Sequence, residues 1–164
     1  MQMTQRRALV VAFLMLVPAC WAAAQDVSGT FEFIGPDTSC FLSLDMYNPD
    51  NPDNPYPVSG AYTYIYQLRC LLDDNFIDTL TLPVGGRPRD VFVIEAGELD
   101  VIGISVEARK ITFTFPTYTT ELTNPMVVIS PLKPNLGYAV LTGVFEAVTG
   151  AILAPLPAGD RPQR

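Results

Sequence analysis

The sequence predicts an all-β, single-domain fold, an antiparallel sandwich or barrel. Three observations carry this. Apolar and polar residues alternate with period two through most of the chain, Thr, Val, Ile, Tyr and Phe fill those stretches, and fifteen prolines with frequent glycines interrupt any long helix. The expected strands cover 28–34, 40–46, 59–72, 76–82, 90–95, 99–106, 111–116, 126–130 and 137–148, with turn-forming residues between them. Leu136 to Leu156 is apolar enough to suggest a membrane span. Glu146, the interior glycines and the alternation Tyr138, Val140, Thr142, Val144 make it one or two strands instead, because a central carboxylate is costly in lipid.

Ahead of the first strand, Arg6-Arg7, the apolar run Ala8 to Val17 and Ala22-Ala23-Ala24 read as a secretory signal peptide over residues 1–24, cut before Gln25. The apolar run is ten residues long, against the ~20 that span a bilayer as a helix. The rival reading is lipoprotein processing at Cys20, since Val17-Pro18-Ala19-Cys20 loosely resembles a lipobox and would anchor the chain to a bacterial membrane; Pro18 and Trp21 fit that pattern poorly. Residues 25–154 then form the β domain, and the Pro-rich 155–164 is expected to be a disordered tail. The expected location is periplasmic or secreted.

An oxidising compartment favours pairing Cys40 with Cys70, the two cysteines left in the mature chain. Closing a loop of that length stabilises by about 3.5 to 4 kcal/mol through chain entropy, so the bridge reads as a staple. No Cys-x-x-Cys redox motif is present. The chain carries net charge −7; removing Arg6 and Arg7 from ten basic residues leaves eight against seventeen acidic, net −9. Such a surface repels phosphate backbones and argues against nucleic acid as a partner.

Two hairpins follow from the alternation. With Ala96-Gly97 as a tight turn, Ile94 would face Leu99 and Phe92 would face Val101 on one apolar side, while Glu95 would face Glu98 and Val93 would face Asp100. With Ala108-Arg109 as the next turn, Val106 pairs with Ile111, Ile104 with Phe113 and Ile102 with Phe115, and Glu107 meets Lys110. The shared strand must change its apolar face near Ile102-Gly103, where a glycine suits a bulge.

Three constellations are candidate sites. Asn48-Pro49-Asp50-Asn51-Pro52-Asp53-Asn54-Pro55-Tyr56-Pro57 repeats every three residues, and Asp50 and Asp53 are candidate calcium ligands. A polyproline helix would set them about 9 Å apart, so an exposed stiff loop is the leading expectation. Glu95, Glu98 and Asp100 crowd like charges at a hairpin tip, which a cation would relieve; otherwise they are a solvated tip. Tyr62, Tyr64 and Tyr66 share one strand face with Leu68 and Cys70, and either pack in the core or line a groove for a sugar ring or apolar ligand.

The enzyme inventory is mostly negative. Without histidine, Ser-His, Cys-His and His-containing zinc chemistries are excluded. Ser130-Pro131-Leu132-Lys133 has S-x-x-K spacing, but Pro134 takes Lys133 out of helical geometry. The leading expectation is an exported, non-catalytic binding or structural domain, with no cofactor beyond a candidate calcium ion, whose partner is an envelope or extracellular protein or a small ligand. The alternatives are a small apolar-ligand carrier barrel and a carboxylate-based hydrolase acting on glycans.

Overall fold

In a computed structural model of the chain, residues 26–71, 77–95, 100–116 and 122–159 are described. They form ten strands: β1 (Val27–Ile34), β2 (Ser39–Tyr47), β3 (Tyr62–Cys70), β4 (Ile77–Pro83), β5 (Asp90–Val93), β6 (Gly103–Val106), β7 (Lys110–Thr114), β8 (Met126–Ser130), β9 (Pro134–Gly143) and β10 (Ala147–Pro155). Two antiparallel five-stranded sheets pack together, one ordered β1-β2-β3-β8-β5 and the other β10-β9-β4-β7-β6. The sheets do not close on each other, so the architecture is a sandwich and not a barrel. No helix among the described residues is long and apolar enough to cross a membrane.

The period-two pattern decides which side chains meet. In the first sheet Leu42 stands opposite Leu68, Leu44 opposite Tyr66 and Met46 opposite Tyr64, all buried. In the second, Leu80 faces both Phe113 and Leu141, and Leu82 faces Ile111. These inward rows make one continuous core between the sheets. Cys40 and Cys70 are directly opposite in the β2/β3 ladder, with Cα atoms 4.0 Å apart, and are joined by a disulfide. Leu136 to Leu156, expected as one or two strands with one placed at 137–148, is the hairpin of β9 and β10. Its strand reaches Pro155, one residue past the expected domain boundary, and Leu156 packs against the core.

β8 is the exception to alternation. All five of its residues are buried, because the connection from β2 to β3 folds over the outer face of its sheet. Tyr56 and Val58 from that connection cover Val127 and Ile129, and Tyr56 meets Phe92 edge to face with ring centroids 5.1 Å apart. The connection is not the extended polyproline segment that its prolines suggest. Asn51 Oδ1 accepts from the Asp53 amide at 2.7 Å and Asn54 Oδ1 from the Tyr56 amide at 2.9 Å, so successive Asx turns fold it back. Gly60 ends it with φ of +67°, a conformation that a side chain would strain.

The two flanks of the sandwich differ. On one flank β1 lies against β10 so closely that a Cβ on Gly150 would come within 2.9 Å of the Phe33 ring and 3.0 Å of the Glu32 carbonyl oxygen. At one end of this flank the Glu146 carboxylate accepts the Asp37 amide at 2.9 Å and ties the β9/β10 tip to the β1/β2 turn. On the other flank lie β5 and β6, the two remaining edge strands, which touch less extensively than β1 and β10 do.

The sheet membership of β5 and β6 corrects the first expected hairpin. Phe92 does not pair with Val101; it pairs with Val127 of β8, while β6 belongs to the opposite sheet. Val91, Val93 and Val101 all pack on the main core, but from opposite sheets, so the segment after β5 crosses the core and does not turn back in the same sheet; Phe92 packs under Tyr56 on the outer face. The expected turn residues Ala96-Gly97 lie outside the described residues.

The second hairpin has the predicted register. Val106 stands opposite Ile111 and Ile104 opposite Phe113, and Glu107 meets Lys110 at 3.3 Å. At its far end the Ile102 amide donates to Thr114 O at 2.9 Å while Gly103 also faces Thr114, two residues against one as in a bulge.

Candidate functional site

The flank of β5 and β6 holds a cleft of about 670 Å³ lined by Val93, Glu95, Asp100, Val101, Ile102 and Asn124. Each wall is the continuation of an edge strand. Val93 closes β5, and the Ile94 amide donates to Pro125 O at 3.0 Å, which carries Glu95 past the end of the ladder. On the other wall Asp100, Val101 and Ile102 lead into β6.

Asn124 forms the floor. It precedes β8 in a segment held against β3, where Leu68 N donates to Thr123 Oγ1 at 3.0 Å and Thr123 N to Leu68 O at 2.9 Å. Asn124 is 3% exposed, and its Nδ2 donates to Asp100 Oδ1 at 2.9 Å. That bond crosses from one sheet to the other. It holds the exposed Asp100 carboxylate against the buried Asn124 amide.

The cleft continues into β6. Ile104 and Val106 share the sheet face of their neighbours Phe113 and Ile111 but stand on the outermost strand. Ile102, Ile104 and Val106 are 64%, 41% and 44% exposed, whereas Phe113 and Ile111 are fully buried. The backbone of the same residues is also open. The bond from Glu107 N to Lys110 O makes that pair hydrogen-bonded, so Ser105 and Gly103 face β7 and the amides and carbonyls of Ile104 and Val106 face outward.

Of the residues singled out in the sequence, Glu95 and Asp100 share this cleft, both exposed to water. Glu98 lies outside the described residues. Asp50 and Asp53 sit on the covering connection, away from the cleft, and neither is joined to Glu95 or Asp100. Among the described residues no group of three or more His, Cys, Asp or Glu side chains is close enough together to hold a metal ion.

The tyrosines take a different place. Tyr64 and Tyr66 are fully buried with their rings nearly parallel and 6.3 Å apart. Tyr64 donates to Leu132 O at 2.7 Å and Tyr66 to Leu153 O at 3.1 Å. Burial, with a smaller contribution from the neighbouring tyrosine, pushes both phenols well above their ordinary range. Tyr62 is half-buried and packs against the same core.

Sequence reasoning passed over Val93, Asn124, Ile104 and Val106 as site residues. The available signal was the uncharged run Val101 to Val106 between Asp100 and Glu107, which reads equally as a buried strand. No protein-family model, curated protein or solved structure matches the chain.

Proposed function

We propose that the protein is an exported, non-catalytic binding module of the cell envelope or extracellular space, and that the flank between β5 and β6 is its working surface. The observation that carries the reading is the asymmetry of the sandwich. On one flank β1 packs on β10, and the other holds a cleft of mixed lining, with Glu95, Asp100 and Asn124 beside Val93, Val101 and Ile102 and with exposed Ile104 and Val106 on the adjoining strand. A cleft that combines a few polar groups with apolar side chains is where ligands bind. The Cys40–Cys70 disulfide is more typical of an oxidising, exported compartment, in keeping with the arginine-headed apolar leader.

A glycan hydrolase is the second reading, favoured by the presence of Glu95 and Asp100 in one cleft. Both carboxylates are open to solvent, which does not supply the desolvation a general acid needs. The small-ligand carrier reading moves with the geometry. The tyrosine pair fills the core, so an apolar ligand would have to enter the open flank.

The test is Nile red fluorescence with the exported, purified chain. Enhancement by the wild type and its loss in Ile102→Glu, at unchanged melting temperature, is expected. Equal enhancement in both proteins, or none in either, would remove the open flank as the working surface. Glycan turnover lost in Glu95→Gln or Asp100→Asn would move the assignment to the hydrolase.

A further inference from the structure

We propose that copies of this chain associate head to tail along the strand direction, the end of the sandwich that carries the β4/β5, β6/β7 and β8/β9 connections docking on the opposite end of a second copy. Charge is segregated between the two ends. At the first end Arg87 and Arg89 lie between β4 and β5, Arg109 and Lys110 at the β6/β7 turn and Lys133 between β8 and β9, all exposed, against Glu107 and Asp90. Asp53 lies apart from them, near Tyr47 with Asp26 and Asp45 on the β1/β2 side. The basic connections are held together. The Val84 amide donates to Arg109 O at 2.9 Å and the Gly85 amide to Pro155 O at 2.8 Å, and a Cβ on Gly85 would come within 2.9 Å of Leu132 Cδ1. Lys110 is paired with Glu107 and Arg89 Nη1 donates to Ser59 O, whereas Arg87, Arg109 and Lys133 take no part in an ion pair among the described residues.

The opposite end has the complementary sign. Its described connections carry Asp37, Glu95, Asp100 and Glu146 and no lysine or arginine; the one base near it among the described residues, Arg69, is the penultimate residue of β3. The Glu146 carboxylate accepts the Asp37 amide, which gathers two of the acids, and Ile34, Val144 and Phe145 beside them in sequence are exposed. At the basic end Pro131 and Leu136, on either side of Lys133, are exposed as well. Each end therefore combines apolar side chains with charges of one sign, as interfaces do. Both halves of a complementary pair stand on one chain, which selects a second copy as the occupant. Two-fold pairing of like ends would set acid against acid or base against base, which is unfavourable. Head-to-tail contact leaves a free end of each kind, so growth continues past two. The net charge of −7 repels copies at long range, but at about 0.15 M salt that field is screened within ~8 Å, and charges in contact are screened much less.

The experiment is sedimentation equilibrium of the exported, purified chain. At about 0.15 M salt the weight-average mass should rise past the dimer with concentration, and at about 1 M salt it should fall back toward the monomer. Arg87→Gln/Arg109→Gln/Lys133→Gln neutralises the basic end. Asp37→Asn/Glu146→Gln neutralises the acidic end and keeps an oxygen to accept the backbone N–H of residue 37. Each variant, at unchanged melting temperature, should self-associate at least about tenfold more weakly than the wild type. An equimolar mixture of the two retains one intact end of each kind and should form a dimer and stop there. None of these five residues lines the cleft, so head-to-tail association stands or falls separately from ligand binding between β5 and β6. A wild-type chain that stays monomeric at every concentration, self-association that salt strengthens or that either variant keeps at wild-type strength, or a mixture that does not dimerise would overturn the proposal.

Discussion

Ile104 stands directly opposite Phe113 on the same face of the same sheet, yet Phe113 is fully buried and Ile104 is 41% exposed. One strand position separates core from surface. β6 is the outermost strand of its sheet and β7 lies one place further in, so the same sheet face is core at Phe113 and partly open at Ile104.

The pair therefore predicts opposite responses to truncation. Phe113→Ala should cost about 3 to 5 kcal/mol in urea denaturation, as for other buried aromatics. Ile104→Thr should cost about 1 kcal/mol or less, because Ile104 keeps 41% of its surface in water. Comparable losses in the two variants would place Ile104 in the core.

The closed flank should be intolerant of added volume. Gly150→Ala puts a methyl against the Phe33 ring and the Glu32 carbonyl oxygen, and a backbone carbonyl cannot move aside cheaply. A destabilisation of about 1 to 3 kcal/mol is expected from thermal or chemical unfolding. A neutral result would mean that β1 is not seated on β10.

Much of this was legible in the residues. The alternation of Leu42, Leu44 and Met46 and of Tyr64, Tyr66 and Leu68 fixes which faces of β2 and β3 are buried, and the pairing of Cys40 with Cys70 follows from the same register. The β6/β7 hairpin was readable because Glu107 and Lys110 bracket a two-residue turn. What alternation cannot report is which sheet a strand joins. β5 is apolar on both faces because Tyr56 covers the outer one, and that contact comes from a segment whose prolines suggest an extended conformation, while its asparagines fold it back. For the same reason Ile104 and Val106 read as core, since burial at an edge depends on the opposite sheet and not on the strand's own sequence.

Removing the disulfide should be costly without changing the fold. The bridge closes a loop with a sequence separation of 30 residues, and the Cys40→Ala/Cys70→Ala double variant should lose about 3 to 4 kcal/mol by denaturant titration. A far-ultraviolet spectrum that stays β-type in that variant is part of the expectation.

The buried phenols predict alkaline weakening. Tyr64 and Tyr66 titrate above the ordinary tyrosine value of 10.0 in the folded chain, so the stability they contribute is complete below that pH. As pH rises past 10 the unfolded chain gives up protons that the folded chain keeps, and stability should fall by about 1.4 kcal/mol per pH unit for each tyrosine. Denaturant titrations between pH 9 and 11 should show a shallower decline in Tyr64→Phe and in Tyr66→Phe. An identical pH dependence in wild type and variants would contradict the assignment.

Amide hydrogen exchange at Ile104 and Val106 tests the open edge most directly. In the purified chain both amides should exchange rapidly while those of Ser105, Ile111 and Phe113 are protected. Strong protection of Ile104 and Val106 would contradict the account of β6 as the unpaired edge of its sheet.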